Sequence, residues 1–417
     1  MFKTKKIVWL LLAIFVLTSG SLLWAGGTKE ARPVRIGALL PLTGALSEYG
    51  QGFRKAGDLA SEQLAAAGFP IEVKYVDTET SAIPGVEGAR TLVNVEKVVA
   101  LVGAAASGVT IPIAETVAIP NQIPQLSYAS TSKLITYLPA DQGKDFLFRT
   151  TASDELQGAV LGAETAKARA KRAAVMYVNN AYGQGLLEDF QKALEAAGGK
   201  VVAAVPHDEK PAPTYVAELR QIMQAKPDVM LALSYPGQAT VFLKEFFEAG
   251  YQKTTTPVFC DGTKSVELPK ALGPKTLAGY FGTAAAPSAG VSVDNFKRDF
   301  KAKFGDLPPL PYLDTTYDGI VIAALAAAKA TFEGKPVTGV AVRDNLRAVA
   351  NPPGEVVVAG VDGIKKALEL LKAGKDINYE GAGGSQDFDK NGDVITPIEI
   401  WKFIDREPYI VTDRLVE

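Results

Sequence analysis

Between Pro33 and about residue 285, short apolar runs alternate with stretches of helix length, and this alternation constrains the fold more than any other feature of the chain. "VRIGALL" is followed by a helical stretch from about Ser47 to Ala67 that Gly68 stops. "IEVKYVD" precedes a helix from about Pro84 to Glu96, "VVALVGA" precedes one opening at Ser107, and "PQLSYA" closes the series. Short strands separated by such helices specify parallel βαβ units, because a parallel connection needs a crossover that covers the sheet faces. A second series repeats the architecture: a helix from about Asp154, then "RAAVMYV", a helix from Tyr182, "KVVAAVPH", a helix from Pro213, "DVMLALSY", a helix from Gly237, "PVFCDG" and "LAGYFGTAAA". From Val291 to about Lys375 the pattern turns mostly helical, and the tail "GGSQDFDKNGDVITPIEIWKFI" reads as a turn between two strands. The expectation is an α/β chain of two Rossmann-like lobes with parallel central sheets.

A length of 417 residues, 47% hydrophobic and 22% charged, suits two compact domains. The net charge of −2, with no basic stripe carrying interleaved aromatics, argues against a nucleic-acid partner. At the N-terminus, Lys3, Lys5 and Lys6 precede an apolar run from Ile7 to Leu17 and small residues near Ala25, the three parts of a secretory signal peptide over residues 1–25. An uncleaved anchor is the alternative. Removing residues 1–25 leaves 41 basic against 46 acidic side chains, a net charge of −5. Cys260, the only cysteine, excludes an internal disulfide and lies far from where a lipid-modified cysteine would sit, so a lipoprotein anchor is unsupported.

Catalytic chemistry finds little footing. A hydroxyl nucleophile needs a base, and the only histidine, His207, ends a strand and reads as a solvent-edge residue. A Ser–Lys pair using Lys133 is the remaining catalytic option. "DFDKNGD" resembles the start of a calcium loop, with Asp387, Asp389 and Asn391 at ligand spacing, but the twelfth position is Ile398 where a bidentate Glu belongs. Asn391-Gly392 therefore reads as a hairpin turn, and no metal is expected. Neither a dinucleotide fingerprint nor a P-loop is present, and no cofactor is expected.

What remains is a set of polar residues at the carboxyl ends of strands, where parallel sheets collect ligands. Ser107 follows "VVALVGAAA", Ser130 and Thr131 follow "PQLSYA", Tyr182 follows "AAVMYVNN", Tyr235 follows "DVMLALS", and Asp261 follows "PVFC". Hydroxyls and backbone N–H groups from the first series suit a carboxylate, and Asp261 from the second suits an ammonium. Together they complement an α-amino acid. Plainer roles stand beside these: Ser107 as a helix N-cap, the tyrosines as packing, Asp261 as a turn former before Gly262. Among the hydroxyls of "PQLSYASTSKL", Thr131 is the leading ligand candidate, Ser127 and Tyr128 read as packing, and Ser132 as the start of the next turn.

"VRIGALLPLTGALSEYGQGFRKAGDLA", "VVALVGAAASGVT", "IPQLSYAST", "FLFRTTASDELQG", "NNAYGQG" and "SQDFDKNGD" together resemble the extracytoplasmic solute-binding proteins of ABC importers of the branched-chain amino acid type, from about Pro33 to the C-terminus. The resemblance implies a type I periplasmic binding protein: a monomer of two lobes joined by three crossovers, closing on a solute and delivering it to a membrane permease without catalysis. It implies an N-terminal lobe of residues 33–151 and 284–380 and a C-terminal lobe of residues 152–283 and 381–417. It assigns the ligand carboxylate to Ser107, a carbonyl and a hydroxyl to Ala129 and Thr131, and further contacts to Tyr49 and Tyr182. Where leucine-type members carry Glu, this chain has Asp261 in "FCDGTK", one methylene shorter, which keeps amides, urea-like compounds and aromatic acids open as solutes. A ligand sensor of the same fold is the alternative function, and an enzyme using Ser130 or Thr131 a third.

Overall fold

The computed structural model describes residues 33–168 and 171–416, so the signal segment expected over residues 1–25 lies outside the described residues. The chain opens with β1 (Val34–Leu40), α1 (Ser47–Ala66), β2 (Ile71–Asp77), α2 (Ala82–Asn94), β3 (Ala100–Val102), α3 (Ser107–Ile113), β4 (Gln125–Ser127), α4 (Lys133–Thr136) and β5 (Leu147–Arg149). These strands form one sheet in the order β2-β1-β3-β4-β5, parallel throughout. Both faces are covered by helices, which is why β1 and β3 are near-continuous apolar runs and not alternating ones, and why all three residues of β4 are buried.

The second series runs α5 (Asp154–Lys167), β6 (Arg172–Val178), α6 (Ala181–Ala196), β7 (Lys200–His207), α7 (Val216–Gln224), β8 (Val229–Leu233), α8 (Pro236–Glu248), β9 (Thr256–Phe259), α9 (Glu267–Leu272), α10 (Pro274–Leu277) and β10 (Phe281–Ala285). After it come α11 (Val291–Phe304), α12 (Leu313–Phe332), α13 (Gly339–Ala350), β11 (Glu355–Val358), α14 (Val361–Lys372), β12 (Ile377–Gly381), β13 (Gly384–Ser385), β14 (Ile398–Phe403) and β15 (Ile410–Val416). The second sheet has the order β15-β14-β10-β9-β8-β6-β7, with β14 and β15 antiparallel at one edge. The chain thus forms two parallel-centred α/β layers, as the alternation predicts. Helix α12 is apolar on almost every side and correspondingly buried, packed between the first sheet and α1, α13 and α14.

Several details differ from expectation. Helix α2 begins at Ala82 and α7 at Val216, not at the prolines, and the β-branched run "EVVV" forms β11, paired in parallel with β12, inside a stretch that reads as helical. Asn391-Gly392 does not turn between paired strands: β13 pairs with β12, and β14 with β10 and β15. The turn is held by its own side chain, since Asp389 Oδ1 accepts the N–H groups of Asn391 at 2.7 Å and Asp393 at 3.0 Å. It also docks on the first sheet: Arg149 N–H donates to Gly392 O at 2.8 Å, and Phe388 meets Phe148 edge-on at 5.2 Å. Residues 388–394 therefore pack with the first sheet.

Candidate functional site

In the first sheet, β1 has β2 on one side and β3 on the other; in the second, β6 lies between β7 and β8. At such reversals the loops leaving the strand ends splay to opposite faces and leave a crevice. The crevices of the two sheets face each other across a small cavity of about 20 Å³.

One wall comes from the first sheet. Tyr49 is in the first turn of α1, Ser107 opens α3, and Ala129 follows β4. The opposite wall holds Tyr182 in the first turn of α6, Tyr235 at the N-cap of α8, and Asp261 after β9. Four of the residues expected from strand ends, Ser107, Tyr182, Tyr235 and Asp261, thus line one cavity with Tyr49 and Ala129, which the resemblance implies. Asn180 caps α6, its side chain accepting the N–H groups of Tyr182 at 3.1 Å and Gly183 at 3.0 Å, which fixes where the Tyr182 ring starts. The rings of Tyr182 and Tyr235 stack at 5.7 Å.

Asp261 is the anionic centre of the cavity. Its carboxylate accepts from Tyr182 Oη at 2.6 Å, Gln157 Nε2 at 2.9 Å and Tyr312 Oη at 2.8 Å. Burial pushes its pKa above the ordinary carboxylate value, and the three hydrogen bonds oppose that rise. Gly262 lets the turn approach this closely, since a Cβ there would lie 2.5 Å from Ser234 O and 2.9 Å from Tyr182 Oη. From the other wall, Tyr49 Oη donates toward the carbonyls of Gly262 at 3.2 Å and Lys264 at 3.4 Å.

The run "PQLSYASTSKL" divides differently than expected. Ser130 does not reach the cavity: its fully buried hydroxyl meets Ala104 O at 3.1 Å, Ala105 O at 3.0 Å and Thr110 Oγ1 at 2.7 Å, because the chain folds this side chain back under the β3 end. Thr131 sits just behind the lining, with its carbonyl accepting from Arg149 Nη1 at 2.9 Å and from Asp154 N–H at 2.7 Å. Ser107 Oγ accepts the Ser132 N–H at 3.2 Å, and Ser132 caps α4 while its hydroxyl donates to Ala181 O at 2.8 Å. Lys133 is held by Glu188 at 2.8 Å and Asp189 at 2.9 Å, so it is an ion-pair partner of α6 and not a base for Ser130. His207 is not a solvent-edge residue: it is 4% exposed, its ring packs against Tyr215 at 5.6 Å and Phe242 at 6.0 Å, and burial lowers its pKa.

Strand-end reasoning misses Tyr312, Phe53 and Gln157. Tyr312 precedes α12 after the "PPLP" loop, where no strand signals it; Phe53 lies one helical turn beyond Tyr49; Gln157 follows Asp154 by three residues in the "TTASDELQG" stretch, whose start reads only as a helix cap.

A family model for periplasmic binding proteins matches residues 33–400. The chain belongs to that family. It is a type I member of the Leu/Ile/Val-binding kind, a group whose members bind solutes. This periplasmic binding protein is 30% identical over 365 residues to the chemotactic signal transduction system substrate-binding protein BasB of Halobacterium salinarum, spanning 85% of this chain and 83% of that one. It is 27% identical over 396 residues to an amino acid binding protein of Pseudomonas aeruginosa, spanning 92% and 93%. The crystal structure of the leucine-binding protein LivK of Thermotoga maritima superposes with a TM-score of 0.75 at 21% identity, covering 92% of this chain and 99% of that one.

Proposed function

We propose that this periplasmic binding protein captures a small amine-bearing zwitterion, an amino acid or close relative, between its two strand-end walls and delivers it to an ABC permease. The observation that carries the reading is Asp261: a buried carboxylate in the lining of a small cavity that also holds Ser107 on the wall from the first sheet. An ammonium satisfies the acid, and a carboxylate suits the polar groups around Ser107. The Pseudomonas relative's name, an amino acid binding protein, agrees with this.

A thermal-shift panel of free amino acids, amides, urea and benzoate tests the reading. At least one amino acid is expected to raise the melting temperature in a concentration-dependent way by mass action, and Asp261→Ala to abolish that shift while still melting cooperatively. A panel in which only benzoate or urea stabilises the protein refutes the amino-acid version. BasB's name favours a second reading, a sensor that presents the liganded form to a transducer. A deletion strain that keeps uptake of the solute but loses movement toward it would establish the sensor role; lost uptake would establish the importer. The protein is taken to be exported with residues 1–25 removed, so N-terminal sequencing of the mature protein is expected to begin just after Ala25.

A further inference from the structure

A second and larger pocket, of about 400 Å³, lies next to the strand-end cavity, and Tyr312 is the one residue common to both linings. Its volume is within the ~300–1,000 Å³ of small-molecule sites. The two spaces share supports: Tyr312 Oη donates to Asp261 at 2.8 Å, and Lys264, whose N–H donates to Asp261 O at 3.0 Å, belongs to the second lining. Both series contribute to the pocket. The end of β10, β14 and β15 come from the second sheet, and α11, the loop before α12 and the first turn of α12 complete it. Pro287, Phe296, Leu307, Pro309, Leu310 and Leu415 make its walls apolar.

The buried charges of this pocket do not balance. Glu399 is 2% exposed and both its oxygens are taken, Oε1 by the Lys264 ammonium and Oε2 by the Thr412 hydroxyl at 2.6 Å. Lys264, 7% exposed, is thereby spent on Glu399. Asp314 is left over. It is half-buried in the first turn of α12, and its Oδ1 accepts the Thr315 N–H at 2.9 Å. Among the described residues no donor reaches its Oδ2, and no lysine or arginine nitrogen lies within 4.0 Å of the carboxylate. Lys264 and Glu399 act on it from farther away with opposite signs. Burial raises its pKa to about 6, which leaves it ionised at neutral pH. The remaining cation of the lining, Lys297, is exposed, and water weakens its field. The interior of the pocket thus carries one net negative charge among apolar walls, a costly arrangement until a positive group meets it.

We propose that this pocket is a second binding site, separate from the strand-end cavity, for a small organic cation with an apolar body: the charged nitrogen meets Asp314, and the body lies among the proline and leucine side chains. An anion of the same shape is turned away by Asp314, and a neutral one gains the walls alone. The site does not depend on which solute the strand-end cavity takes.

The test uses the whole mature protein, isothermal titration calorimetry and three probes with one body and different heads: hexylamine, hexanol and hexanoate. Asp261→Ala removes the acid of the strand-end cavity and is expected to leave hexylamine binding in place. In that background hexylamine is expected to bind about 10-fold or more tighter than hexanoate, and Asp314→Asn to weaken it about 10-fold, the loss of one charge-assisted contact. Leu310→Trp, which fills the pocket from its loop, is expected to abolish hexylamine binding. Should either aspartate variant fail to melt cooperatively, the comparison of the wild type with Leu310→Trp decides. Hexylamine binding that is lost in a folded Asp261→Ala, that persists unchanged in a folded Asp314→Asn or in Leu310→Trp, or that hexanoate matches overturns the proposal. So does the absence of hexylamine binding.

Discussion

At the scale of single residues, burial decides what each ionisable group can do. His207 is the clearest case outside the cavity: its ring lies among Tyr215 and Phe242, and desolvation holds its pKa below the ordinary histidine value. A group whose pKa is lowered by folding contributes stability above its unfolded pKa of about 6.5 and loses it as pH falls through the folded value. The urea midpoint of the wild type is therefore expected to fall relative to that of His207→Phe between pH 7.5 and pH 5. A difference between the two proteins that stays constant with pH would mean the ring is not buried neutral. The same reasoning separates what sequence can and cannot say about the site. Asp261 is legible because an acid directly after an apolar strand stands out; Tyr312 is not, because it stands ahead of a helix after a proline-rich loop, where no strand end announces it.

At the scale of elements, the alternation of apolar strands and helices carries nearly all of both parallel sheets, since period and length are properties of the local chain. What stays hidden depends on partners distant in sequence. Strand β11 is only four residues long and takes its identity from pairing with β12. The 388–394 turn reads as a hairpin until Arg149 is seen to bind it: the Arg149 guanidinium is 0% exposed and makes a paired contact with Asp393, Nε to Oδ1 at 2.7 Å and Nη2 to Oδ2 at 2.6 Å. The same guanidinium holds the Thr131 and Ser132 carbonyls, so this turn fixes the loop behind the cavity from a distance of more than 200 residues in sequence. Asp393→Ala strands a buried cation and is expected to cost about 3–5 kcal/mol in urea denaturation. A loss well under 1 kcal/mol, the scale of an exposed ion pair, would show that the pair is wet and the loop held by other means.

At the scale of the whole molecule, the two walls of the cavity grip each other beyond the space between them. Glu48, in the first turn of α1, accepts the N–H groups of Val266 at 2.8 Å and Glu267 at 3.2 Å, along with the hydroxyl of Ser265, all at the start of α9. Beside it, Gly237 N–H donates to Ala45 O at 3.2 Å. Glu48→Gln keeps the shape of this clasp and removes its charge, and is expected to speed release of a bound solute about 10-fold in stopped-flow dissociation with little change in association. An unchanged dissociation rate would place the barrier to opening elsewhere.

The clasp has a property that reaches past any one solute. On the far side of the cavity, Glu48, Ala45, Ser132 and Tyr49 engage main-chain atoms of Val266, Glu267, Gly237, Ala181, Gly262 and Lys264. Replacing a side chain among these partners leaves its amide or carbonyl in place. Much of the grip on the second wall thus rests on main-chain atoms, beside the side-chain contacts of Glu48 with Ser265 and of Lys133 with Glu188 and Asp189. Exchanges at the lining residues Asp261, Tyr182 or Tyr235 would leave those main-chain contacts in place.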